Sequence, residues 1–129
     1  MKSPDNTEIH KRHLSTIWFD KDGILYSVFN NVPRTVDTCK ERGVFIKFLT
    51  KDKLVCSIVD VSNSGAIDIE SREHLKNECS QMYKALAIVT TTPLGQMIAS
   101  LWFVLAPHSV PTKIFSNEPE ANKWIQQYL

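Results

Sequence analysis

The feature that most constrains this chain is a pair of short, nearly unbroken apolar runs, each followed by a turn and then a helical pattern. Residues 54–59 (Leu-Val-Cys-Ser-Ile-Val) and 84–90 (Lys-Ala-Leu-Ala-Ile-Val-Thr) have the length of strands. Their lack of polar alternation marks strands covered on both faces. Such strands call for helices above and below, so the expected class is α/β with a mostly parallel sheet. At 129 residues the chain can bury one such core but not two.

The rest of the chain fits around those strands. Residues 14–20 and 24–29 are rich in β-branched and aromatic types and read as two strands joined by the turn Asp20-Lys21-Asp22-Gly23. An antiparallel hairpin therefore opens the domain. Residues 1–12 are expected to be a flexible tail, and the domain to run from 13 to 129. A helix is predicted after Thr35, a suitable N-cap, with Val36, Cys39, Gly43, Ile46 and Leu49 facing the core. Val44, Phe45 and Phe48 fall off that stripe, which suits either deep burial or a partner.

A second helix is predicted over 71–82, with Ser71 as its N-cap and Leu75, Cys79 and Met82 as its stripe. Thr92-Pro93 opens a third, in which Leu94, Met97, Ile98, Leu101, Trp102 and Leu105 recur at helical spacing and Phe103 lies opposite. A short strand at 112–115 and a last helix carrying Ala121, Trp124, Ile125 and Tyr128 complete the order β-β-α-β-α-β-α-β-α.

Composition narrows the function classes. With 43% hydrophobic and 22% charged residues this is an ordinary globular chain. Fifteen basic side chains against fourteen acidic ones leave a net charge of +1, without the basic excess that neutralises phosphates, so nucleic acid is not an expected partner. Cys39, Cys56 and Cys79 are widely spaced and odd in number, and read as buried, reduced thiols of a reducing compartment. The polar N-terminus lacks a signal-peptide core, and no apolar run approaches the ~20 residues that span a bilayer. The expectation is a cytoplasmic protein without stable membrane insertion.

Three stretches carry a family resemblance. Ile17-Trp18-Phe19-Asp20 with Asp22-Gly23-Ile24-Leu25, then Val59-Asp60-Val61-Ser62, then residues 111–116 with Glu120-Ala121 and Trp124-Ile125 resemble small bacterial proteins, common in Bacteroidetes, classed as SpoIIAA-like or STAS/SEC14-like. The order and spacing of the stretches carry the likeness, which runs from about Ile17 to the C-terminus. It implies a SpoIIAA-like (STAS-type) single domain with a mixed sheet, and little about activity. The better understood relatives are anti-sigma-factor antagonists, in which a phosphorylated serine in an Asp-Ser-Ser pattern begins a helix. A phosphate there gains the helix N-terminus and repels the partner. Here the segment reads Ile67-Asp68-Ile69-Glu70-Ser71, so isoleucine occupies the acceptor position and the usual phosphoserine switch is not expected.

Familiar chemistries find little footing. There is no Gly-x-Ser-x-Gly nucleophile pattern, and the loop Ser62-Asn63-Ser64-Gly65 is simply rich in turn formers. His10, His13, His74 and His108 show no paired metal spacing and read as solvated surface groups; no metal or cofactor is expected. Four glycines form no phosphate-binding motif, and Thr90-Thr91-Thr92 suits helix capping. Trp18, Trp102 and Trp124 read as packing residues. Asp60 lies at the carboxyl end of a buried strand, where α/β sheets bind ligands. With Ser62, Arg72 and Thr91 it is a candidate ligand or partner rim, although capping the loop through backbone hydrogen bonds is the favoured role for Asp60 itself.

Two functions are therefore expected. The first is a non-enzymatic protein-interaction or regulatory module, with Phe45, Phe48 and Phe103 as interface candidates and a protein partner or a second copy as occupant. The alternative is binding of a small apolar ligand or lipid, by analogy with SEC14-like folds.

Overall fold

A computed structural model describes residues 1–105 and 109–129, apart from the side chains at 101–103 and 105. Six strands form one sheet in sequence order: β1 (His10–Lys11), β2 (Ser15–Phe19), β3 (Leu25–Phe29), β4 (Val55–Asp60), β5 (Tyr83–Val89) and β6 (Thr112–Phe115). The first three strands are antiparallel and the rest of the sheet is parallel. Helices α1 (Val36–Thr50), α2 (Ile69–Met82) and α3 (Pro93–Leu105) connect successive parallel strands. Helix α4 (Glu118–Ile125) follows β6 and ends in a single 3-10 turn.

Each crossover steps to the next strand in the same direction, and such crossovers are right-handed. The first three helices therefore share one face, where α1 packs on α2 and α2 on α3. The opposite face carries α4, packed on β4, β5 and β6. Strand alternation divides the core accordingly. Ile17, Leu25, Phe29, Val59, Leu86 and Ile88 face the three-helix layer, whereas Trp18, Tyr26, Cys56, Ile58, Ala85 and Ala87 face α4. The small Ala85 and Ala87 let a short helix approach the sheet closely, and its Ala121 and Ile125 are fully buried.

The mostly parallel sheet, the opening hairpin and the four helices agree with the sequence pattern, with four differences. The sheet begins inside the expected tail, because His10 and Lys11 pair with Ile17 and Thr16; two residues are too few to leave a periodic signal. Helix α2 starts two residues before Ser71, with Asp68 as N-cap accepting from the Ser71 N–H at 2.7 Å. Ser71 is buried instead, its hydroxyl donating to the Arg34 carbonyl at 3.2 Å.

Of the expected stripe of α3, the side chains of Leu101, Trp102 and Leu105 lie outside the described residues, and the remainder is only partly inward. Ile98 is buried with Ala99, whereas Leu94 is 54% and Met97 59% exposed. Finally, the buried face of α1 includes Arg42 as well as Cys39, Gly43 and Ile46. Thr35 caps α1 as expected, in a reciprocal arrangement with Thr38.

Candidate functional site

At the carboxyl ends of β4 and β5 the structure brings together three of the four rim residues. The Asp60 carboxylate accepts the Ser62 N–H at 2.9 Å, closing a local turn, and the N-terminal ammonium of Met1 at 3.3 Å. The Ser62 hydroxyl accepts both the backbone N–H of Thr91 (2.8 Å) and its hydroxyl (3.1 Å). Thr92 donates to the Ser62 carbonyl at 2.6 Å and accepts the Gly95 N–H, so it caps α3. Asp60 is 8% exposed, and its carboxylate serves the turn after β4 and the Met1 ammonium.

Arg72 takes no part in that network. It stands in the first turns of α2 and lines a separate groove of about 270 Å³, between the loop entering α2 and the start of α3. Gly65, Ile67 and Ile98 contribute to this groove, together with the exposed Leu94 and Met97. The Arg72 Nε is buried without a hydrogen-bond partner among the described residues. Such a donor is costly to leave unmatched and is closed to solvent, so what the groove can offer a partner is the charge of the guanidinium rather than this N–H.

The interface candidates separate. Phe48 is 75% exposed, and Val44, one turn before it on α1, is 70% exposed. Phe45 is half-buried: the Arg12 guanidinium lies 4.1 Å from its ring centre, and His10 meets its edge. The Phe103 side chain, like His108, lies outside the described residues.

Beneath α1 lies a polar cluster that periodicity alone does not reveal. Arg42 is buried and donates to three hydroxyls, those of Ser15 (3.1 Å), Ser27 (2.8 Å) and Tyr83 (3.2 Å). Arg34 is 2% exposed, donates to the Ser64 hydroxyl and stacks on Phe29 with 3.8 Å between guanidinium carbon and ring centre. Arg42 approaches the same ring at 4.7 Å. Burial, and then the neighbouring charge of Arg42, push the Arg34 guanidinium down to about 9, so it remains charged at neutral pH.

His74, expected on the solvent side, is half-buried instead and lies 2.8 Å from a carboxylate oxygen of the buried Glu78. The signal for Arg42 is present in the sequence: it sits three residues after Cys39 and four before Ile46, on the apolar stripe itself. All three cysteines are buried, with their thiols pushed up by burial. Among the described residues no three His, Cys, Asp or Glu side chains converge to hold a metal. No described helix is long and apolar enough to cross a membrane.

Comparison with known proteins supports the fold. A crystal structure of an uncharacterised protein of the DUF3478 family from Shewanella loihica PV-4, with a SpoIIAA-like fold, superposes with a TM-score of 0.54. The alignment covers 97% of this chain and 98% of that one at 13% identity, so the likeness is one of fold. No curated protein matches the chain. The family model described as Domain of unknown function (DUF7793) matches residues 17–129, and the chain belongs to that family.

Proposed function

We propose that this chain is a non-enzymatic interaction module that docks a segment of a partner protein in the groove between α2 and α3. The observation that carries this reading is the exposure of Leu94 and Met97, more than half open to solvent, in a groove also lined by the Arg72 guanidinium. An apolar wall beside a guanidinium suits an apolar side chain flanked by a carboxylate. The rim of Asp60, Ser62 and Thr91 then serves as scaffold, holding the start of α3 against the end of β4. Binding of a lipid or other apolar ligand is less well supported, since both larger clefts described open to solvent and include polar side chains.

Selection of peptides from a displayed random library tests this reading. Peptides that pair an acidic with a large apolar residue are expected to be enriched, and to bind the Arg72→Glu and Met97→Asp variants at least about tenfold more weakly. Failure to enrich any such peptide, or equal binding by both folded variants, overturns it. Light scattering over a concentration series shows whether a second copy is the occupant. In that case dimerisation disappears in the same two variants.

A further inference from the structure

Helix α4 is eight residues long and packs mainly on β4–β6, reaching β3 through the Tyr26 hydroxyl. The N-terminal segment meets the same face of the sheet. Met1 packs against that core cluster, and the following residues form one side of a cleft of about 400 Å³. This is a volume in the range of small-molecule sites. Trp18 and Tyr26 form part of its lining as a stacked pair, 5.5 Å between centres and 6° from parallel. Across from the N-terminal segment stand Asp20, at the β2–β3 turn, and Glu118, at the start of α4.

The hydrogen bonds in this cleft decide what it can recognise. The Tyr26 hydroxyl donates to Glu118 Oε1 at 3.2 Å and accepts from Asn122 Nδ2 at 2.7 Å. Asp20 Oδ1 is held by the backbone N–H groups of Asp22 and Ile24, each at 2.9 Å. These contacts fix two carboxylates while leaving Asp20 Oδ2 and Glu118 Oε2 without a donor among the described residues. Lys2 and Lys21 also line the cleft, yet neither forms an ion pair among the described residues. Both are exposed side chains on flexible stems. The groups held in place are thus acceptors beside a largely buried aromatic pair, and a ligand must supply the donors.

We propose that this cleft binds a small organic cation, an ammonium or guanidinium carried on an apolar or aromatic body. The body packs against Trp18 and Tyr26, and the charge is held by Asp20 and Glu118. Both contributions are stronger in a partly covered cleft than in open water. The N-terminal segment then acts as the cover.

Isothermal titration with 2-phenylethylammonium, and with 2-phenylethanol and phenylacetate as neutral and anionic counterparts, tests the assignment. The cation is expected to bind saturably, one per chain, and to shift the Trp18 indole resonance. Its counterparts should bind at least about tenfold more weakly. Glu118→Gln preserves an acceptor for the Tyr26 hydroxyl but removes the charge, and should weaken the cation about fivefold or more. Glu120→Gln, which removes the same charge from an exposed position on α4 outside the cleft lining, serves as the matched control and should leave the affinity within about twofold. Absence of binding by the cation overturns the proposal, as does equal affinity for the alcohol or an unchanged affinity in the Glu118→Gln variant.

Discussion

The carboxylate of Glu78, on α2, occupies the space that a side chain at Gly43, on α1, would need. A Cβ built at Gly43 falls under 3 Å from both carboxylate oxygens and the carbon between them. Helix propensity alone favours alanine over glycine by about 1 kcal/mol. The packing opposes it, because Glu78 is buried and bonded to His74 and cannot move aside without losing that contact. Gly43→Ala is therefore expected to destabilise the protein. In a Glu78→Ala background the same change should become neutral or stabilising. Urea denaturation of the four proteins of this cycle reads the coupling, expected at about 1 kcal/mol or more.

Arg42 links α1 to the sheet. Its three hydroxyl partners come from β2, β3 and β5, so one guanidinium ties the helix to strands far apart in sequence. Arg42→Ala leaves buried hydroxyls unpaired as well as a cavity, and should cost about 3 kcal/mol or more. Arg42→Lys keeps the charge but cannot fork to three partners, and should still lose about 2 kcal/mol. A lysine variant as stable as the parent would mean that the charge, and not the forked geometry, is what this position requires.

These same residues show where the sequence was legible. The strand and helix order follows from apolar runs, turn residues and caps, and Thr35 and Gly23 stand where local chemistry put them, the latter at φ 81°. Periodicity failed where a polar residue faces inward. Ser15 and Ser27 point toward the three-helix layer at positions that alternation alone would give to apolar side chains, and they do so because Arg42 reaches them. Leu94 and Met97 fail in the opposite sense: their spacing is that of a core stripe, yet both stay more than half exposed along the groove between α2 and α3. The rim of Asp60, Ser62 and Thr91 was legible as a neighbourhood because all three close strand ends. The separation of Arg72 from it depends on the path of the loop into α2, which spacing does not encode.

Ser62 closes that rim, and its removal separates scaffold from binding surface. Its hydroxyl accepts two hydrogen bonds from Thr91, so Ser62→Ala should cost about 1–2 kcal/mol and loosen the start of α3. Hydrogen exchange would locate the loss, with the amide of Thr91 exchanging faster while those of β2 and β3 stay protected. Uniform acceleration throughout the sheet would instead show that Ser62 supports the whole fold.

Alkaline pH probes the core from another direction. Burial, and then the nearby Glu78, push the Cys79 thiol up from 9.0 to about 12. The unfolded chain therefore loses this proton first. The stability tied to the thiol is complete below pH 9 and declines as pH rises toward 12. Tyr26 and Tyr83, also raised by burial, act in the same sense above their ordinary value. Arg34 opposes them: its depressed value means that the unfolded chain holds the proton more tightly above about pH 9, so its contribution rises with pH. Cys79→Ala isolates one contribution. Between about pH 8 and about pH 10 the parent protein should lose about 1 kcal/mol more than the variant, read from urea midpoints. The comparison of slopes removes the cost of the small cavity that the substitution leaves, which is the same at both pH values. Parallel slopes would mean that the folded Cys79 thiol titrates as freely as the unfolded one.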